Sequence, residues 1–122
     1  MKKLLLAAAL LLPMSAFGDH LDVIQFKLNE GCTLDTYRAI VKDFNEQWGA
    51  KYAYHAEVAV PVQSPDLDSY YWIGRTADAM SFGKAWDTWR NEASDAGSVA
   101  GKLLARFVDC STNVGRRGYD TY

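Results

Sequence analysis

A histidine and a glutamate two positions apart are the residues of this chain best suited to acid–base chemistry. His55 and Glu57 lie in a segment of alternating residue character, so both side chains project from one side of a predicted strand. A neighbouring carboxylate raises the pKa of an imidazole and can orient the ring as a general base. The alternative interpretation is a surface ion pair, because no third catalytic partner is adjacent in sequence.

Aromatic side chains offer a second kind of site, an apolar pocket for a flat organic molecule. The predicted pocket residues are Tyr71, Trp72, Arg75 and Trp86. Arg75 ends the third predicted strand just before a helix start, so its guanidinium and free backbone N–H groups could hold a substrate anion. The alternative is that aromatic residues at these spacings form an ordinary hydrophobic core and that Arg75 is solvated.

No metal, nucleotide or nucleic-acid site is predicted. The histidines His20 and His55 are isolated, and the chain contains no Cys-x-x-Cys, no His-Glu-x-x-His and no phosphate-binding glycine loop. Arg116 and Arg117 form only an isolated basic pair, and the formal net charge of −2 is the reverse of what phosphate binding requires. We therefore expect no cofactor and no nucleic-acid partner.

Residues 1–18 are typical of a cleaved signal peptide. A lysine-containing start precedes an unbroken apolar run over residues 4–12, which is too short to cross a bilayer as a helix. Ala16 and Gly18 are small residues at the two positions that a signal peptidase inspects, which predicts cleavage before Asp19. We expect the mature protein in the periplasm or outside the cell, without a membrane anchor.

Two cysteines in an oxidising compartment pair by default, and only one pairing is available here. We therefore predict a disulfide bond between Cys32 and Cys110. A redox or nucleophilic thiol is the alternative, but neither cysteine has a Cys-x-x-Cys partner or a histidine close in sequence.

Hydrophobic periodicity divides the remaining chain into strands and helices. A stripe at helical spacing predicts a first helix capped by Thr33 and ended by Gly49, and a second helix is predicted to start at Thr76. A short third helix is predicted over residues 99–108. The predicted strands are residues 20–29, 53–62, 70–75 and 112–122.

The element order predicts a single α+β domain over residues 19–122. Strand, helix, strand, strand, helix, strand is the ferredoxin-like βαββαβ plan, an antiparallel four-stranded sheet with helices on one face. In that plan the last strand pairs with the first, so Cys110 is expected beside Cys32. The predicted topology and the predicted disulfide therefore agree, although different residues indicate them.

The sheet face opposite the helices is predicted to be apolar enough to need a partner. On the third strand, Tyr71 and Ile73 point one way while Tyr70 and Trp72 point the other. Whichever pair faces the helices, aromatic area remains on the open side, and monomers rarely expose such a patch. A second copy of the chain is the simplest cover. The alternative is a small, partly hydrated patch.

The element order, with the segments Trp72-Ile-Gly-Arg75 and Phe82-Gly-Lys-Ala-Trp86, resembles the dimeric α/β-barrel group of ferredoxin-like proteins. The resemblance implies a homodimer with a pocket between sheet and helices. The group includes cofactor-independent monooxygenases and haem-degrading enzymes, but none of its catalytic motifs can be placed residue by residue on this chain. Haem ligation is not expected, since neither main predicted helix carries a histidine.

Three hypotheses about function follow. The first is an exported, disulfide-bonded homodimer that binds a small apolar or aromatic molecule. The second is a monooxygenase-like oxidoreductase in which Trp72, Tyr71 and His55 position an aromatic substrate, a hypothesis based on fold analogy. The third is a protein-interaction module that uses the open sheet face. The sequence does not decide between binding and catalysis.

Overall fold

The computed structural model describes residues 18–122, so the predicted signal peptide lies outside the described residues except for Gly18. No helix among residues 18–122 is long and apolar enough to cross a membrane. The described elements, in chain order, are β1 (His20–Leu28), α1 (Leu34–Gln47), a 3₁₀ turn (Gly49–Tyr52), β2 (His55–Ala59), β3 (Tyr70–Thr76), α2 (Ala79–Ala93), α3 (Val99–Cys110) and β4 (Ser111–Asp120).

The four strands form one antiparallel sheet in the order β2-β3-β1-β4. β1 and β3 occupy the centre, and all three helices pack against the same face. This strand order, with β4 beside β1, is the ferredoxin-like arrangement, and it confirms the predicted α+β fold class. The third helix, α3, leads directly into β4.

The first helix forms where the apolar stripe predicts it. The hydroxyl of Thr33 caps α1 by accepting a hydrogen bond from the backbone N–H of Thr36 at 3.2 Å. The helix ends at Gln47 with Trp48 as its C-cap, two residues before the predicted end at Gly49, where a Cβ would overlap the carbonyl oxygen of Tyr54. The buried residues of the helix share one face, and they are Tyr37, Ile40, Val41 and Phe44.

Two predicted element starts were wrong by a few residues. The cap of α2 is Asp78 rather than Thr76, because the Asp78 carboxylate accepts the backbone N–H of Ser81 at 2.7 Å. Thr76 is instead the last residue of β3, where its side chain is buried. β2 begins only at His55, because Ala53 has a φ of 50°, a left-handed conformation that strands do not adopt.

The predicted disulfide is present. Cys32, in the turn after β1, is bonded to Cys110 at the end of α3, and their Cα atoms lie 5.2 Å apart. The N–H of Asn29 donates to the carbonyl of Cys110 at 2.9 Å, so backbone and sulfur both join the end of β1 to the start of β4.

The core between helices and sheet is predominantly aromatic. Phe44 of α1 lies at its centre and makes edge contacts with rings from β3 and α2, among them Trp72 at 4.9 Å and Trp89 at 5.4 Å between centroids. Phe26 of β1 is fully buried and stacks on Tyr37 at 4.0 Å. Edge-to-face geometry stabilises such clusters beyond the area that they bury.

Glu92, in the last turn of α2, joins that helix to the segment before β2. Its carboxylate accepts hydrogen bonds from the indole N–H of Trp48 and the hydroxyl of Tyr52, both at 2.8 Å. These two bonds, Tyr52 first and Trp48 second, hold the pKa of Glu92 below its ordinary value, with a smaller contribution from the charge of Lys51.

We expect the Glu92 hydrogen bonds to make stability fall in acid. The folded-state pKa of Glu92 lies below the unfolded-state pKa, so its stabilisation is complete above the unfolded value and is lost as pH falls through the folded value. Urea denaturation from about pH 6 to about pH 3 should show a steeper loss of unfolding free energy for wild type than for Glu92→Gln. Glu30→Gln, in an exposed turn, is the control, and parallel profiles for wild type and Glu92→Gln would contradict the assignment.

The two faces of β3 differ in what they meet. Tyr70 and Trp72 face the helices, together with Ile24 and Phe26 of β1. Tyr71 and Ile73 lie on the open face, where no described helix covers them. The open face also carries Leu21, Val23, Gln25 and Lys27 of β1, His55, Glu57 and Ala59 of β2, and Arg117 and Tyr119 of β4.

Candidate functional site

A cavity of about 420 Å³ lies between the helix-covered face of the sheet and helices α2 and α3. This volume is within the range of about 300–1,000 Å³ that is usual for small-molecule sites. Most of its wall is aromatic, and the rings that helices α2 and α3 contribute are Phe82, Trp86, Trp89 and Phe107. Its polar residues belong mainly to β1 and β4 and include Asp22, Ser111, Asn113 and Arg116.

A chain of hydrogen bonds crosses the floor of this cavity. The guanidinium of Arg116 binds the Asp22 carboxylate in a two-point contact, Nε to Oδ1 at 2.8 Å and Nη2 to Oδ2 at 2.7 Å. The hydroxyl of Tyr54 donates to Asp22 Oδ2 at 3.1 Å, and the indole N–H of Trp72 donates to the Tyr54 hydroxyl at 2.9 Å. We call these four residues the floor network.

The floor network is built to hold a buried carboxylate. The side chain of Asp22 is only 4% exposed, which would be costly for a charge without partners. Burial, and next the charge of Asp22, raise the pKa of Tyr54, so its hydroxyl keeps its proton and donates. No buried side-chain nitrogen or oxygen among residues 18–122 lacks a hydrogen-bond partner. The buried polar atoms of the floor network are therefore paired within the protein.

Arg116 connects the floor network to the aromatic wall. Its guanidinium carbon lies 3.9 Å from the centre of the Trp86 ring and 5.9 Å from that of Phe82. A guanidinium stacked on an indole is held flat by the cation–π attraction. The ion pair with Asp22 therefore fixes the edge of the Arg116 guanidinium, and the contact with Trp86 fixes its face.

Backbone geometry explains why Asp22 and Arg116 meet. Asp22 lies in the same alternation as Ile24 and Phe26, so its side chain points toward the helices. Arg116 is paired with Ile24 across the β1–β4 ladder and points the same way. On β3, Gly74 provides the room for Tyr54, because a Cβ there would overlap the tyrosine hydroxyl.

Two of the four predicted pocket residues line the cavity and two do not. Trp72 forms part of the floor, and Trp86 forms part of the wall. Tyr71 and Arg75 lie on the opposite face of the sheet, because successive residues of a strand point to opposite sides. Tyr71 and Arg75 therefore do not line the cavity to which Trp72 contributes.

His55 and Glu57 lie on the open face, across the sheet from the cavity. Glu57 accepts a hydrogen bond from Arg75 Nε at 2.9 Å, and both side chains are close to half exposed. Arg75 also lies 3.6 Å from a carboxylate oxygen of Asp19. Within residues 18–122 the His55 ring has no hydrogen bond, and the ion pair of Glu57 is with Arg75 rather than with His55.

Sequence reasoning missed the polar residues of the cavity. Asp22 carried a detectable signal, since an aspartate occupies a position that the alternation of β1 assigns to the core side. Arg116 was interpreted only as half of an isolated basic pair. His20 was interpreted as isolated, yet its Nδ1 lies 2.8 Å from the carboxylate of Asp120, with its ring 5.0 Å from that of Phe82.

The described side chains do not provide a metal site. Across residues 18–122, no group of three or more His, Cys, Asp or Glu side chains is placed to hold an ion. What the cavity offers is aromatic surface, one guanidinium paired with the Asp22 carboxylate, a side-chain amide and the hydroxyls of Ser111 and Thr112. These groups suit the binding of an uncharged or anionic organic molecule by contact and hydrogen bonding.

Comparison with known proteins gives a likeness of fold without a function. No protein-family model matches the chain, and no curated protein matches it. Among solved structures, the chain is similar to the crystal structure of a dimeric protein of unknown function and ferredoxin-like fold from Bacteroides fragilis NCTC 9343. The TM-score is 0.45 and the identity 16%, and the match covers 85% of this chain and 97% of that chain. The strand order of this chain is therefore the basis for its fold assignment.

Proposed function

We propose that this protein binds a small planar aromatic molecule in the cavity between the sheet and helices α2 and α3. The observation that carries the proposal is the wall of aromatic rings around a volume of about 420 Å³. A molecule with two fused rings placed there would contact ring faces and edges on several sides. Because hydrogen bonds already join the four residues of the floor network, their polar groups are held in position before the ligand arrives.

Burial of apolar surface supplies the driving force for this binding. Leu104, on the rim, is 37% exposed, and Val108 is 62% exposed, so apolar area faces solvent around the opening. Covering such area contributes roughly 25 cal/mol per Å². The rim residues belong to α3, which the disulfide ties to the turn after β1.

Blocking the opening should weaken binding. We expect Leu104→Trp to weaken binding of 2-naphthol about tenfold or more, because the larger side chain occupies the rim of the cavity. Isothermal titration calorimetry on the purified protein measures the effect. Val99→Trp is the matched control, since Val99 is also exposed on α3 but does not line the cavity. Failure of wild type to bind 2-naphthol or 2-isopropylnaphthalene saturably would overturn the proposal.

We also propose that two copies of the chain pair through the open sheet face. The centre of that face is apolar and half-buried, formed by Leu21, Val23, Tyr71 and Ile73. Its edges carry opposite charges, Glu57 on β2 and Arg117 on β4. A two-fold axis parallel to the strands would place the β2 edge of one copy over the β4 edge of the other, so these charges would meet.

Charge substitution at the centre of the open face should separate the copies. We expect Ile73→Arg to convert a dimer into a monomer, because an arginine there would be buried without a partner. Size-exclusion chromatography with light scattering measures the change. Met80→Arg, a matched substitution at an exposed position of α2, should leave the dimer intact. A monomeric wild type would contradict the proposed dimer but would not affect the cavity proposal. Glu57→Arg should weaken the dimer, and adding Arg117→Glu should restore it.

Export accounts for the disulfide. A bond between Cys32 and Cys110 forms and persists in oxidising compartments, such as the periplasm or the extracellular space. We propose that the mature chain begins at Asp19, the first residue after the predicted cleavage site. The intact mass of the natively expressed protein tests this, and a mass that includes residue 1 would exclude cleavage.

The monooxygenase-like alternative has less support. It requires Trp72, Tyr71 and His55 to contact one substrate, yet Trp72 faces the helices while Tyr71 and His55 lie on the open face. No specific observation in the described residues favours an oxidation. Binding is therefore the function that the arrangement supports best.

A further inference from the structure

We infer that the ligand carries a hydrogen-bond-accepting oxygen at the edge of its ring system, and that Asn113 and Arg116 of β4 bind that oxygen. This inference deepens the proposed function and depends on the cavity being a binding site. β4 is irregular between these two residues. Asn113 and Arg116 are three residues apart, and side chains so spaced in a regular strand point to opposite faces.

A β-bulge brings these two side chains to one face. Along the β1–β4 ladder, Gln25 is paired with Gly115 and Phe26 with Asn113, so Val114 is an extra residue without a partner. The shift reverses the alternation, and Asn113 points to the helix side with Phe26 while Arg116 points there with Ile24. Both side chains consequently line the cavity. Bulges commonly redirect side chains beside functional sites.

Both side chains that this bulge presents, the Arg116 guanidinium and the Asn113 amide, carry hydrogen-bond donors. Of the five N–H bonds of the Arg116 guanidinium, Nε and one on Nη2 are directed at Asp22. The Nη1 amino group makes no hydrogen bond within residues 18–122, and the side chain is 36% exposed. The Asn113 amide is exposed and likewise has no recorded partner among the described residues.

The carboxylate of the site, in contrast, is already used. Asp22 Oδ1 accepts from Arg116, and Asp22 Oδ2 accepts from Arg116 and Tyr54. Asp22 acts here as a positioning residue, since it orients the guanidinium and neutralises its charge. A ligand ammonium group would therefore meet a guanidinium and find no free carboxylate. A carbonyl or carboxylate oxygen would find two kinds of donor.

A matched series of naphthalenes tests the inference, with dissociation constants measured by calorimetry. The four probes share one ring system and differ at one substituent: 2-acetonaphthone (ketone), 2-naphthoate (carboxylate), 2-isopropylnaphthalene (no acceptor) and 2-naphthylmethylammonium (cation). We expect the ketone or the carboxylate to bind about tenfold tighter than the hydrocarbon, as one good hydrogen bond allows. The tighter of the two identifies whether the natural acceptor is neutral or anionic.

Substitution of Asn113 tests whether β4 causes the preference for oxygen-bearing probes. Asn113→Leu should reduce the advantage of the oxygen-bearing probes severalfold while leaving the hydrocarbon unchanged, and Asn91→Leu, exposed on α2, should change neither. Equal affinities for all four probes, or preferred binding of the cation, would overturn the inference while leaving the cavity a binding site. Absence of binding by every probe, the hydrocarbon included, would instead overturn the proposed function.

Discussion

Replacing Arg116 by methionine is expected to lower the free energy of unfolding by about 3 kcal/mol. The substitution removes the two-point partner of Asp22 and leaves a carboxylate that is 4% exposed with only the Tyr54 hydroxyl to bind it. Breaking a buried pair from one side is costly because the remaining charge is desolvated without compensation. Urea denaturation, compared at one protein concentration, measures the change.

The double variant Asp22→Leu with Arg116→Met separates charge from packing. Removing both charges eliminates the uncompensated carboxylate, so the double variant should be more stable than Arg116→Met alone. Arg38→Met is the control, because Arg38 is two-thirds exposed and its pair with Asp35 is long, at 3.7 Å. It should change stability by less than about 0.5 kcal/mol. Equal losses for Arg116→Met and Arg38→Met would show that the floor network does not hold Asp22.

Removal of the disulfide is expected to have the largest effect on stability. The bond joins residues 78 apart, and closing a loop of that length lowers the entropy of the unfolded chain by an amount equivalent to about 4.5 kcal/mol in the chain-entropy model. The double variant Cys32→Ala with Cys110→Ala should therefore unfold at much lower urea concentration. A loss of this size is a large part of the total for a small domain.

Reduction of wild type provides the matched measurement. Adding a thiol reductant should lower the urea midpoint of wild type toward that of the double alanine variant, and should leave the variant unchanged. Cys110 is 4% exposed, so part of the stability that the alanine variant loses will come from lost packing of the cysteine side chain. Reduction alone leaves that packing in place. If the free energy of unfolding of the double variant lies within about 1 kcal/mol of that of oxidised wild type, the expected role of the bond is contradicted.

Several features of the fold were predictable because their causes are local. The helical stripe and its Thr33 cap depend on residues within a few turns of one another, and α1 has the predicted start. The Cys32–Cys110 pairing needed only a count of two cysteines and an oxidising compartment. The element order then restricted the sheet to few topologies, and the observed strand order agrees with the predicted one.

The candidate site was harder to predict because its residues are distant in sequence. Asp22 and Arg116 are separated by 94 positions, and His20 and Asp120 by 100. Trp72 and Trp86 could be selected as aromatic residues near one another in the chain. Tyr71 and Arg75 lie on the other face of the sheet, which the identity of a residue does not reveal.

Composition and periodicity alone determined the disulfide and the ferredoxin-like order of the helices and strands, although not every boundary, since each depends on neighbouring residues or on a single available pairing. The tertiary structure decided which side of β3 faces the helices and which charges meet in the core. The reason is register: a shift of one residue exchanges the two faces of a strand, and the extra residue Val114 makes that shift within β4. Asn113 and Arg116 share a face with Asp22 for this reason.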